Sequence, residues 1–167
     1  MEWNGPALHP GLNTLYVGAV DWCWKFWAAE QVRYIPGKLY MGGIVQPASD
    51  PKGRITALDA SSGTVKWTYD SKRPVVAAVT ATAGGLVFTG ELTGDFIALD
   101  AKSGEVRYRF PTGGAIGGGV VTYQVNGRQY VAVASGRPSP FWLFENAGAP
   151  TVFVFARPPE ESRSAGR

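Results

Sequence analysis

The sequence predicts an all-β chain, a partial β-propeller built from short antiparallel blades, and three observations carry that prediction. Residues 53–69 (GRITALDASSGTVKWTY) return almost unchanged 41 positions later as residues 94–110 (GDFIALDAKSGEVRYRF). A period of about 40 residues carrying short strands is the signature of a propeller blade. The 167 residues include 22 glycines and 12 prolines with no long helical pattern, while 45% hydrophobic and 13% aromatic content supplies a core. Within each copy, a mostly apolar run is followed by a strictly alternating one, as expected of a covered strand pairing with a half-exposed strand.

In chain order, the first strand is LYVGAV at residues 15–20, after the turn-like His-Pro-Gly of 9–11. Residues 21–27 (DWCWKFW) form the densest aromatic cluster. An extended backbone there puts Trp22, Trp24 and Phe26 on one face, for core or loop packing. Residues 38–43 (KLYMGG) read as the strand before the first copy, and 86–90 (LVFTG) as its counterpart before the second. On that alignment the loop at 46–52 gives the first blade six extra residues, at a rim where function often sits.

In the first copy, Asp59 ends a strand and Gly63 closes a short turn through positive φ; Asp100 and Gly104 do the same in the second. The recurrence of both aspartates at one repeat position assigns them to turns and not to acid–base chemistry. On the return strands Val65, Trp67 and Tyr69 share a face, as do Val106, Tyr108 and Phe110, leaving Trp67 and Tyr108 to pack over the next unit. The small-residue stretches 75–85 and 113–123 read as strands near a propeller axis, where backbones crowd. Residues 129–135 and 151–156 are the last strands, separated by a loop with Pro138, Pro140, Phe141 and Trp142; the polar tail 157–167 is expected to be disordered. The domain reading is therefore a partial propeller over 1–156 plus that tail. A closed propeller needs about four to eight such blades, so open sheet edges or completion by further polypeptide are expected.

The remaining chemistry is mostly exclusion. A formal charge of +3, from 16 basic and 13 acidic residues with no basic stripe, argues against nucleic acid. Cys23 stands alone and forms no disulfide within the chain, and no apolar run reaches membrane-span length. The N-terminus lacks the features of a signal peptide and reads like the interior of a folded protein, an expectation that the chain is a piece of something longer. The one histidine, His9, lies in a turn. No zinc set, no G-x-S-x-G elbow and no calcium loop exist, and the glycines of 113–119 do not fit a phosphate loop. Spacing alone reveals no active site.

ALDASSGTVKW, ending at Trp67, resembles the tryptophan-docking motif Ala-x-Asp-x-x-x-Gly-x-x-x-Trp of the eight-bladed quinoprotein propellers. TAGGLVFTGELTGDFIALDAKSGEV, GGGVVTY and GRQYVAVASG resemble the C-terminal blades of the methanol and alcohol dehydrogenase family, and WNGPALHP with LYVGAVDWC resembles an earlier blade. The resemblance runs from residue 2 to about 156. It implies about three four-stranded blades of a periplasmic enzyme that oxidises alcohols or sugars by hydride transfer to pyrroloquinoline quinone. That enzyme uses calcium or another metal and passes electrons to a cytochrome.

By the same resemblance, the catalytic aspartate, the metal ligands and a vicinal disulfide lie upstream of Met1. The isolated chain is then expected to be inactive and to hold neither quinone nor metal alone, its partners being the remaining blades. Trp3 matches the tryptophan of a cofactor-contacting Asn-Trp pair, with Glu2 where the asparagine stands. Val76 aligns with a tryptophan that methanol dehydrogenases place under the quinone, and Cys23 with a cysteine that some members pair upstream. The competing reading is a non-catalytic propeller scaffold of the outer-membrane assembly lipoprotein type.

Overall fold

A computed structural model of the chain describes residues 4–31, 34–136 and 148–156. The strands in order are β1 (Ala7–His9), β2 (Thr14–Asp21), β3 (Trp24–Ala28), β4 (Gly43–Pro47), β5 (Lys52–Asp59), β6 (Val65–Ser71), β7 (Thr80–Ala81), β8 (Leu86–Gly90), β9 (Asp95–Asp100), β10 (Val106–Pro111), β11 (Val120–Val125), β12 (Arg128–Ser135) and β13 (Thr151–Ala156). All pairings are antiparallel. They give a four-stranded sheet β1-β2-β5-β6, a second ordered β10-β9-β8-β7, a three-stranded sheet β11-β12-β13, and the separate hairpin β3-β4. The all-β partial propeller stands, with the third blade showing three strands among the described residues.

The second sheet is sandwiched. Ile97 and Leu99 on β9 point into a core with Tyr16, Ile55, Trp67 and Val87, whereas Phe96 and Ala98 point the other way, toward Ile116, Val131 and Val133. This two-sided burial is why the run FIAL has no polar alternation. On β5 the buried positions Gly53, Ile55 and Ala57 alternate with exposed or half-buried ones, so the first copy is covered on one face only. Aromatic rings seal the second and third sheets: Phe155 stacks on Phe96 at 4.7 Å, and Phe110 meets Phe153 edge-on at 5.7 Å.

Several sequence expectations are corrected. Residues 38–42 form no strand, and Leu39 is 77% exposed. The counterpart of β8 is β2: Tyr16 pairs with Ala57 as Phe88 pairs with Ala98. The turn ahead of each strand has the same hydrogen bond, Ala60 N–H donating to Asn13 O and Ala101 N–H to Gly85 O, both at 2.9 Å. Asn13 (φ 46°) and Gly85 (φ 82°) supply the left-handed conformation needed there. The first blade's insertion is therefore residues 22–51, including the hairpin, against 91–94 in the second blade.

Along 75–85 only Thr80–Ala81 is strand, and along 113–123 the strand starts at Val120. The preceding residues are largely buried loop passing between sheets, where small side chains allow the crossing. Trp24 and Phe26 are 46% and 56% exposed, so of the expected aromatic face only Trp22 is half-buried. The loop at 137–147 and the tail at 157–167 lie outside the described residues.

Candidate functional site

The repeated motifs build a docking device between blades. The Asp59 carboxylate accepts from the backbone N–H groups of Ser61 and Ser62 at 3.1 and 3.0 Å, and Asp100 accepts from Lys102 and Ser103 at 2.9 and 3.0 Å. Gly63 (φ 73°) and Gly104 (φ 76°) close both turns. A bulge opposite each turn brings a cation back onto the aspartate, Lys66 to Asp59 and Arg107 to Asp100, both at 3.1 Å. Backbone donors from Ser62 and the Lys66 contact hold the Asp59 carboxyl at about 2, and Ser103 and Lys102 N–H groups lower that of Asp100.

Trp67 then reaches across the seam. Its indole Nε1 donates to Ala101 O in the next blade at 3.1 Å, and Tyr16 Oη donates to the same carbonyl at 2.8 Å. Tyr108, its counterpart, is 46% exposed and meets Phe155 edge-on at 6.1 Å. Gly63 N–H donates to Asp59 O, Gly104 N–H donates to Asp100 O, and Trp67 lies over Gly104, whereas Tyr108 meets none of these residues.

Of the residues aligned with cofactor contacts, Glu2 and Trp3 lie outside the described residues. Val76 sits in the loop between the first and second sheets, 1% exposed, in a cluster with Leu92 and Ala115 against which Val20 and Trp22 pack. The Asn4 amide ties this loop to the next inter-sheet loop, donating to Val76 O and, at 3.4 Å, to Gly117 O. Sequence reading did not single out Asn4, because its partners are backbone carbonyls 72 and 113 positions away. Pyrroloquinoline quinone is a planar tricarboxylate that requires cations and a flat aromatic or apolar surface. Val76 is packed under its neighbours and Asn4 carries no charge, so these two residues by themselves do not supply the contacts that group needs. No cluster of three His, Cys, Asp or Glu able to hold a metal occurs among the described residues. No described helix is long and apolar enough to cross a membrane.

An ionic network was also missed. Glu91, at the end of β8, is 4% exposed; its carboxylate accepts from Tyr69 Oη at 3.0 Å and from Arg109 at 2.6 Å. Arg109 also donates to Asp95 at 2.6 Å and to Tyr69 Oη at 2.7 Å. Burial works against the Arg109 charge, but the two carboxylates outweigh it and raise its pKa. Burial, reinforced by Glu91, raises that of Tyr69. The available signal was a departure from the repeat: Asp95 and Arg109 stand where the first copy has Arg54 and Thr68. The network walls an open cleft of about 640 Å³ along the seam between the first two blades.

The family model described as outer membrane protein assembly factor BamB, PQQ_2, matches residues 51–152. A quinoprotein ethanol dehydrogenase of Pseudomonas aeruginosa is 36% identical over 99% of the chain and 28% of its own length. The lanthanide-dependent methanol dehydrogenase of Methylorubrum extorquens is 34% identical over 78% of the chain and 22% of its own. Among solved structures, the quinohemoprotein alcohol dehydrogenase of Comamonas testosteroni superposes with a TM-score of 0.78 at 26% identity, over 95% of this chain and 27% of that one. The chain therefore spans about a quarter of the length of these relatives.

Proposed function

The chain belongs to the quinoprotein alcohol dehydrogenase family of propellers, and from that membership we propose that it forms the last blades of an enzyme oxidising alcohols with pyrroloquinoline quinone. The supporting observation is that similarity to a quinoprotein ethanol dehydrogenase runs over 99% of the chain, across both docking turns and the Val76 loop. In this reading the catalytic aspartate, the metal ligands and the quinone's charged partners reside on other blades. The metal is calcium or a lanthanide, the latter suggested by a relative named as lanthanide-dependent. The enzyme is periplasmic and passes its electrons to a cytochrome.

What this chain contributes is architecture. Trp67 and the Tyr69–Glu91–Arg109 network lock consecutive blades, and Asn4 ties together two inter-sheet loops. The chain alone is inactive. A scaffold without catalysis draws on the description of the family model, but the relatives matching most of the chain are named as dehydrogenases.

Two measurements test the proposal. The reading frame upstream should encode adjacent cysteines and acidic metal ligands; their absence favours the scaffold. The purified chain, given the quinone, calcium and ethanol, should reduce no dye, and turnover would overturn the assignment of catalysis to other blades.

A further inference from the structure

We propose that the cleft at the seam of the first two blades is an anion-binding site, separate from the loop around Val76. Its unspent hydrogen-bonding groups are those an anion requires. Every carboxylate lining it is already engaged: Asp70 by Arg54 at 2.6 Å, and Glu91 and Asp95 both by Arg109 at 2.6 Å. The groups left over are donors. Lys72 and Thr93 line the cleft, are exposed, and have no side-chain partner among the described residues; the Arg109 Nε–H makes no hydrogen bond there either.

A ligand entering this space meets unspent N–H and O–H groups on a scaffold that the Glu91–Arg109–Tyr69 network holds rigid. That inventory suits a carboxylate or phosphate oxygen, for which charge-assisted bonds from Lys and Arg are the strong contacts. The volume of about 640 Å³ lies in the range of small-molecule sites and accommodates a single compact anion. Because no residue of the Val76 cluster is used, this inference does not depend on the quinone reading.

The test is titration of the 167-residue chain at low ionic strength with inorganic phosphate and, separately, with succinate. Binding is followed by calorimetry and by amide shifts of residues 72, 93 and 109. Saturable binding of either probe is expected, and the better probe distinguishes phosphate from carboxylate ligands. Lys72→Ala should weaken it about fivefold, the upper scale of one exposed charge pair, and Lys72→Ala with Thr93→Val should remove it. Lys102→Ala, on the outer turn of the second blade, should leave it unchanged. Failure of both probes to saturate overturns the proposal, as does equal affinity in the Lys72→Ala variant.

Discussion

Gly104 lies beneath the indole of Trp67, so close that a Cβ at this glycine would stand 2.6 Å from Cε3 of the ring. The first repeat's tryptophan thus docks on the second repeat's turn, and only a residue without a side chain admits it. Gly63 holds the same turn position and nearly the same φ, 73° against 76°, with nothing within 4 Å of its would-be Cβ. Gly63→Ala should therefore cost only the left-handed backbone penalty, about 1–2 kcal/mol. Gly104→Ala should cost about 1–3 kcal/mol more, the overpacking scale. Urea unfolding midpoints of the two variants measure the difference, and equal losses would show that the ring does not rest on Gly104.

Unequal burial of Trp67 and Tyr108 predicts unequal seams. Trp67 is 9% exposed and hydrogen-bonded across the blades, so Trp67→Ala should cost about 3–5 kcal/mol. Tyr108 is 46% exposed and, among the described residues, makes ring contacts with Phe96 and Phe155 alone, so Tyr108→Ala should cost about 1 kcal/mol. Thermal unfolding of both variants decides whether the first seam is the stronger one.

Arg109 neutralises a largely buried carboxylate, the Glu91 side chain being 6% exposed. Removing the guanidinium leaves that charge buried, and Arg109→Ala should destabilise by at least about 2 kcal/mol, discounted from the fully buried case because Arg109 itself is 39% exposed. Adding Glu91→Gln to Arg109→Ala should recover part of the loss, since the amide carries no charge to strand. A double-mutant cycle in urea reads the coupling, and strict additivity would deny the pair its role.

These seams show where the sequence was readable. A repeat with matching Asp, Gly and aromatic positions specifies its own turns, because the hydrogen bonds run between residues two or three apart. The strand ahead of the first copy was misread because KLYMGG is as apolar as LVFTG, and nothing local tells a hairpin insertion from a blade strand. Only the long-range pairing of Tyr16 with Ala57 does so. Asn126-Gly127, with φ of 50° and 78°, joins β11 to β12 as an Asn-Gly hairpin and was an unused local signal. Asn4, Glu91 and Arg109 were hard to read, since their partners lie between 14 and 113 positions away in sequence.

Gly90 and Gly53 show how a small-residue position can be rescued or not. A Cβ on Gly90 would sit 2.1 Å from Ile116 Cγ2, a side chain that can be shortened. On Gly53 it would meet the backbone, Val75 N at 2.4 Å and Arg73 O at 2.5 Å. Both Gly→Ala variants should lose about 1–3 kcal/mol or more. Ile116→Ala should restore part of the loss in the Gly90 variant, and no single side-chain truncation should restore the Gly53 variant. Chemical denaturation of the Gly90→Ala/Ile116→Ala pair tests this through the sign of its coupling energy.

Acid should loosen the docking turns before it affects the apolar core. The folded Asp59 carboxyl titrates at about 2, below its ordinary 3.8, and that of Asp100 is lowered in the same way. A group whose folded pKa is depressed adds stability that is fully present above the unfolded pKa and lost as pH falls through the folded one. The contribution of Asp59 therefore declines between about pH 4 and pH 2, where protonation takes its charge from Lys66 and weakens its hold on the Ser61 and Ser62 amides. Unfolding midpoints measured across that interval should fall with pH in the wild-type chain. Asp59→Asn keeps a carbonyl oxygen for the amides but has no proton to gain. That variant should start from a lower midpoint at neutral pH and show a shallower decline, with the residual slope assigned to Asp100. An unchanged slope in Asp59→Asn would mean that acid acts elsewhere in the fold.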